Sequence, residues 1–281
     1  MRLVTYRGEA GERAGVDTGD GVIDAAALLG EQSASVRELV AEDRIGELRE
    51  RLESGIEGMD RIPAPELLPP ITDPEKIVCI GLNYRSHAAE AGIDPPAAPT
   101  FFAKFRNALA SPRATVELPA ASEKVDYEAE IAFVVGRRCK EIDSGDALDA
   151  IAGYTLLNDL SARDLQFATP QWMPGKVFDG SAPCGPALVT PDEAGPPDGI
   201  SFALDLNGER MQEAATSDLI FPIAELVARL SRLMTLEPGD IVSTGTPAGV
   251  GSVRKPRVWL KAGDEISITS PTLGELRTTL N

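Results

Sequence analysis

The sequence predicts a β-rich α+β fold, and three observations carry that expectation. Short β-branched and aromatic runs outnumber amphipathic helical stretches. The two kinds of segment do not alternate as a doubly wound sheet would require. Turn-forming Gly, Pro and Asn-Gly clusters punctuate the chain throughout.

The amino-terminal stretch alternates short strands and turns, "MRLVTYR" and "ERAGVDTGDGVIDAAALL", before one helical stretch from about Ser35 to Leu52. A Pro-rich segment, "RIPAPELLPPITDP", then reads as the link between a small N-terminal domain over residues 1–70 and a main domain over residues 71–281. "KIVCIGL" is the first buried strand of the main part. Asn207-Gly208, set between two extended runs, is a strong hairpin signal. Ile223, Leu226, Val227, Leu230 and Leu233 recur at helical spacing and define one amphipathic helix. Pro238-Gly239-Asp240 and Ala262-Gly263-Asp264 are turns that feed the strands "IVSTG" and "EISITS".

A chain of 281 residues with 43% apolar content can bury a full core. Its 44 acidic and 27 basic residues leave a net charge of −17, which repels phosphate backbones and anionic lipid surfaces. Nucleic-acid and membrane partners are therefore not expected. No stretch reaches the roughly 18 apolar residues of a membrane span, and the first residues lack an apolar signal-peptide core. Cys79, Cys139 and Cys184 are odd in number and widely spaced, which speaks against zinc or a redox pair and for a reducing compartment, the cytoplasm.

The segment "VDYEAEIAFVV" places Glu128 and Glu130 two residues apart at the start of an apolar strand, so both carboxylates point to one face. Burying two like charges side by side costs several kcal/mol unless a cation joins them. One reading is a solvated sheet edge with a nearby lysine or arginine. The other is a metal site, for which Asp159, at the end of the strand around Tyr154 to Leu157, would supply a third ligand. All-oxygen ligands suit Mg²⁺ or Mn²⁺, or Ca²⁺, in preference to zinc. Asp159 is equally able to cap a helix.

His87 is the only histidine, so no multi-histidine metal site exists. It follows a strand, and Glu90 stands three residues on, the spacing that shares a helix face. The pair reads either as a half-buried structural histidine with its partner or as a proton-transfer dyad. "AGIDPPAAPT", residues 91–100, is long enough to serve as a lid over a site. Lys176 in "WMPGKVFDG" is either a solvent-facing lysine or a stabiliser of developing anionic charge. "STGTPAGVG" lacks the ending of a nucleotide-binding loop and is either a wide turn or an N–H nest for a carboxylate.

Taken together and in order, "IGLNYRSHAAEAG", "VDYEAEIAFVVGR", "GYTLLNDLSARDLQ", "PGKVFDGSAPCGP" and "STGTPAGVG" resemble the fumarylacetoacetate hydrolase family, over residues 71–281. The resemblance implies that family's mixed β-sheet roll, a homodimer, and Glu128, Glu130 and Asp159 as ligands of Mg²⁺ or Mn²⁺. It implies His87 with Glu90 as the water-activating dyad, Lys176 as the enolate stabiliser, Gln166 as a substrate-orienting residue supported by Arg163, and Gly245 with Thr246 as the loop that holds the substrate carboxylate. The implied reaction is hydrolysis of a C–C bond in an acylpyruvate-type 2-oxo acid through a metal-stabilised enolate. Isomerisation of a related diene acid and oxaloacetate-type decarboxylation use the same machinery. "FDGSAPCGP" replaces a bulkier stretch of many relatives, which leaves the substrate preference open. A non-catalytic, metal-stabilised binding protein is the competing class, and the net charge and the few basic residues near the acids argue against a metal-dependent nuclease or phosphatase.

Overall fold

The computed structural model describes residues 1–281. Strands β1 (Arg2–Gly8), β2 (Gly11–Asp17) and β3 (Val22–Asp24) form an antiparallel meander. Helices α1 (Ala25–Leu29), α2 (Val36–Ala41) and α3 (Ile45–Glu53) follow it. The single helix expected over Ser35 to Leu52 is thus two. Ser35 and Glu38 form a capping box at the start of α2, and the chain turns at Asp43, whose φ of 55° no helix can continue. The Pro-rich stretch expected to be a link contains β4 (Leu67–Leu68), which pairs with β1.

The central part comprises β5 (Ile77–Gly81), α4 (Arg85–Ala91), β6 (Thr100–Lys104), β7 (Leu109–Ala110), β8 (Thr115–Val116), β9 (Val125–Asp126) and β10 (Ala129–Val135). It continues with β11 (Ile151–Asn158), β12 (Ser161–Ala162), the one-turn helix α5 (Arg163–Gln166) and β13 (Ala182–Val189). The last third holds α6 (Pro191–Ala194), β14 (Ser201–Leu206), β15 (Glu209–Ala215), α7 (Ile223–Leu233), β16 (Ile241–Ser243), β17 (Glu265–Ser270) and β18 (Gly274–Leu280).

Strands β3-β2-β1-β13-β11-β10-β16-β5-β6 run side by side in an 11-stranded sheet completed by β4 on β1 and β7 on β13. Strands β15-β14-β17-β18-β8 make a second sheet of five. Because β16 pairs with β5 in parallel and with β10 antiparallel, the main sheet is mixed. The N-terminal meander joins it through β1 and β13, with Leu3 opposite Leu188. The β14–β15 hairpin turns at Asn207 and Gly208, whose φ angles of 52° and 82° are those of a primed turn.

Strands β10 and β11 are buried along their whole length, which explains their unbroken apolar sequence. Ile131, Phe133 and Val135 face a core shared with the second sheet and α7, while Ala132 and Val134 face a second core shared with α1–α3. The strand expected from Val125 to Val135 is interrupted at Tyr127–Glu128, because Asp126 is drawn to the N–H groups of Gly251 and Ser252. No helix is long and apolar enough to cross a membrane.

Candidate metal centre and active site

Strand register brings the three acidic residues together. Glu130 pairs across β10 and β11 with Leu157, and the Glu128 carbonyl accepts the N–H of Asp159 at 2.9 Å. Glu128 and Asp159 each stand one residue beyond their strands, and the bond between them carries the pairing past the strand ends, so that one carboxylate oxygen from each of the three acidic residues lies within 4.8 Å of the others. All three residues are buried.

Their surroundings are unequal. Lys176 Nζ donates to Glu128 Oε2 at 2.6 Å and to Asp159 Oδ2 at 2.7 Å. Arg163 pairs with the other oxygen of Glu128 and with Asp126 Oδ2, the latter at 2.9 Å, and Lys104 Nζ lies 2.8 Å from Asp159 Oδ1. Glu130 has no cationic partner in the structure, its Oε2 accepting only the Ser243 hydroxyl and the Gly245 N–H, the latter at 2.9 Å.

The ionisation behaviour follows. Burial pushes the Glu128 carboxyl up, but Arg163 and Lys176 outweigh it and hold the group well below the usual carboxylate range. Burial, then Asp159 and then Glu128, push the Glu130 carboxyl well above that range. Burial would lower the Lys176 ammonium, yet Asp159 and Glu128 hold it up at about 12. Four buried carboxyl groups (Asp126, Glu128, Glu130, Asp159) thus meet three cations (Lys104, Arg163, Lys176), and Glu130 is the one whose ionised form has no cation beside it. A hard divalent cation fits this donor set and supplies the compensation that Glu130 lacks.

A cavity of about 520 Å³ opens over the centre. Glu128, Glu130, Lys176, Arg163, Gln166, His87 and Thr246 all line it. Asp159 lies beneath, fully buried. His87 and Glu90 project from α4, with Nδ1 of His87 3.5 Å from Glu90 Oε2. Both Glu90 oxygens accept the Gly249 N–H at 3.0 Å. Arg163 Nη1 donates to Gln166 Oε1 at 3.0 Å, so the two neighbours on α5 hold one another.

Two expected positions differ in detail. Gly245 does not offer its N–H to the cavity, because that group is spent on Glu130. A φ of 99° and the Ile80 carbonyl 2.9 Å from where a Cβ would stand explain the glycine. The Thr246 hydroxyl donates to the Ala129 carbonyl at 3.0 Å and accepts from Gln212 Nε2 at 2.9 Å. From the 91–100 stretch, Ala91 and Ile93 reach the cavity wall.

Sequence reasoning missed Lys104, Asp126, Ser243 and the aromatic wall. Phe102 and Trp172 pack edge to face with ring centres 5.7 Å apart, and Lys176 Nζ sits 4.8 Å from the Phe102 ring centre. Trp259, Lys124 and Arg257 line the outer part of the cavity. A lysine two residues after paired phenylalanines was the available signal for Lys104. For Arg257 and Trp259 there was none.

Comparison with known proteins agrees with this geometry. The mitochondrial oxaloacetate tautomerase FAHD2B of Bos taurus is 39% identical over 98% of this chain and 90% of its own length. The fumarylacetoacetate hydrolase of Exiguobacterium antarcticum superposes with a TM-score of 0.89 at 29% identity, covering 100% of this chain and 99% of that one. The maleylpyruvate hydrolase of Sphingobium sp. SYK-6, solved with manganese(II) and pyruvate, gives a TM-score of 0.83 at 32% identity, covering 100% and 98%. Residues 76–281 match the profile of the fumarylacetoacetate (FAA) hydrolase C-terminal domain. With its mixed sheet, its buried acidic triad able to bind a divalent metal, and these relatives, the chain belongs to the fumarylacetoacetate hydrolase family.

Proposed function

We propose that this protein is a divalent-metal-dependent enzyme that interconverts the enol and keto forms of a small 2-oxo dicarboxylic acid of the oxaloacetate type. The observation that carries the reading is the placement of His87 and Lys176 in one cavity with Glu128 and Glu130. The similarity to oxaloacetate tautomerases supports the substrate class.

The chain's own groups suffice for the proton movements. His87 faces Glu90 through Nδ1, which leaves Nε2 for the cavity. A neutral imidazole takes the C3 proton of the keto acid, the C2 oxygen gains the negative charge, and the imidazolium delivers its proton to that oxygen, which gives the enol and restores the neutral imidazole. In the opposite direction the imidazolium returns the proton to C3. Lys176 carries the positive charge that stabilises the enolate, and the Glu90 carboxylate steadies the imidazolium. A divalent ion held by Glu128, Glu130 and Asp159 supplies Lewis-acid polarisation of the 2-oxo acid. Lys124 and Arg257 line the outer cavity, are exposed, and take part in no ion pair, which suits a second carboxylate at the far end of the substrate.

Acylpyruvate hydrolysis is the second reading. A cavity of about 520 Å³ exceeds what a four-carbon acid requires, and the same His87–Glu90 pair is placed to activate water. Purified protein with Mg²⁺ should accelerate the decay of enol-oxaloacetate absorbance and leave acetylpyruvate intact. Release of pyruvate from acetylpyruvate with no effect on enol-oxaloacetate would transfer the assignment to hydrolysis. Three buried free thiols suit a reducing compartment; the cytoplasm is part of the proposal, beside the mitochondrial setting named for the tautomerase relatives. The homodimer that the family resemblance implies is part of the proposal, to be checked by light scattering.

A further inference from the structure

Lys104 stands at the end of β6, fully buried, and is not among the residues that line the cavity. Its Nζ donates to the Ser181 carbonyl at 2.9 Å, to Ser181 Oγ at 3.0 Å and to the Lys176 carbonyl, and lies 2.8 Å from Asp159 Oδ1. The Leu160 carbonyl is a further acceptor at 3.4 Å. Ser181 Oγ itself donates to the Lys176 carbonyl at 2.9 Å, and the Leu160 N–H donates to the Ser181 carbonyl at 3.0 Å. One ammonium with three protons is therefore surrounded by the oxygens of the two segments that deliver Asp159 and Lys176 to the centre.

We infer that Lys104 is a positioning residue that fixes Asp159 and the Lys176 backbone for divalent-ion binding, without touching substrate. The two lysines beside Asp159 divide the task by location. Lys176 sits on the cavity side at Oδ2, and Lys104 sits behind at Oδ1. Asp159 Oδ1 has no hydrogen-bond partner in the structure, so Lys104 acts on it through close ion pairing, which favours the orientation that leaves the second oxygen toward Lys176 and the acidic cluster. Groups that orient a metal ligand from behind typically contribute 10- to 100-fold to metal affinity. This role is independent of which 2-oxo acid the protein turns over.

The sign of the effect separates positioning from plain charge balance. Loss of a positive charge beside three carboxylates would by itself tighten binding of a divalent cation. Loss of positioning weakens it. The test is Lys104→Met in the full chain, with folding checked by circular dichroism and thermal melting, and Mn²⁺ binding read by calorimetry and by the electron paramagnetic resonance spectrum of the bound ion. The expected result is a folded protein whose Mn²⁺ Kd rises about 10- to 100-fold, with a broadened spectrum. A Kd equal to or tighter than that of the parent, with the parent spectrum, overturns the inference. If Lys104→Met does not fold, Ser181→Ala removes the hydroxyl that both Lys104 and the Lys176 carbonyl use. A several-fold rise in Kd supports the role, and an unchanged Kd and spectrum refute it.

Discussion

Glu90 receives the Gly249 N–H on both carboxylate oxygens while its Oε2 lies 3.5 Å from Nδ1 of His87. The glycine loop after β16 thus anchors the carboxylate that faces the imidazole, so a pair carried on one helix is tied down by a second, distant segment of the chain.

His87→Ala removes the imidazole to which the proposed proton transfer is assigned but none of the three acidic residues of the candidate metal centre. Turnover should fall by roughly 10² to 10⁴, while Mn²⁺ affinity by calorimetry stays within about two-fold of the parent. Full activity in the variant would show that proton transfer lies elsewhere.

Lys176→Met keeps the length of the side chain and deletes its charge. Its Nζ bridges Glu128 and Asp159 and faces the cavity. Removing one such electrostatic group costs on the order of 10² to 10³ in kcat. Steady-state kinetics on the Mg²⁺-loaded protein measure this, and a change confined to KM would assign Lys176 to binding alone.

Glu130 makes the ion-free protein sensitive to alkali. Burial, Asp159 and Glu128 raise its folded pKa above the ordinary 4.5, so this group's contribution to stability is full below that value and is lost as pH rises toward the folded pKa. Glu128 runs the other way. It is held low by Arg163 and Lys176 against the opposing effect of burial, and its contribution is present above the ordinary range and lost as pH falls. In EDTA, Glu130→Gln should therefore gain Tm over the parent as pH rises from about 5 to 8, and excess Mg²⁺ should close the gap. A gap that does not vary with pH would contradict the assignment.

Gly81→Ala tests the aromatic wall. A Cβ at this position would stand 2.2 Å from a Trp172 ring carbon, so the indole must leave its place against Phe102. We expect a loss of about 1–3 kcal/mol of stability and a shifted tryptophan emission, with KM raised more than kcat is lowered. Unaltered emission would mean that the ring is not held there.

Expression of residues 71–281 alone tests the role of the N-terminal part. Deleting β1 uncovers the β13 edge at Leu188 and Val189 and removes Leu3 from its core. Exposed sheet edges associate. The truncated chain should appear mainly in the insoluble fraction, and a monodisperse product with parental activity would mark residues 1–70 as dispensable.

The sequence by itself determined the β-rich class, the hairpin at Asn207-Gly208, the helix from Ile223 and the pairing of Glu128 with Glu130, because each follows from local spacing along one segment. Family resemblance also pointed to Asp159, His87 and Lys176. Which cations face which carboxylates was decided only by the tertiary structure. Lys104 and Asp126 meet their partners across separations of 55 residues for Asp159 and 37 for Arg163, and no local pattern encodes such a meeting. The break at Asp43 and the interruption at Tyr127–Glu128 have the same origin, since a favourable local run yields wherever packing and distant hydrogen bonds stabilise another path.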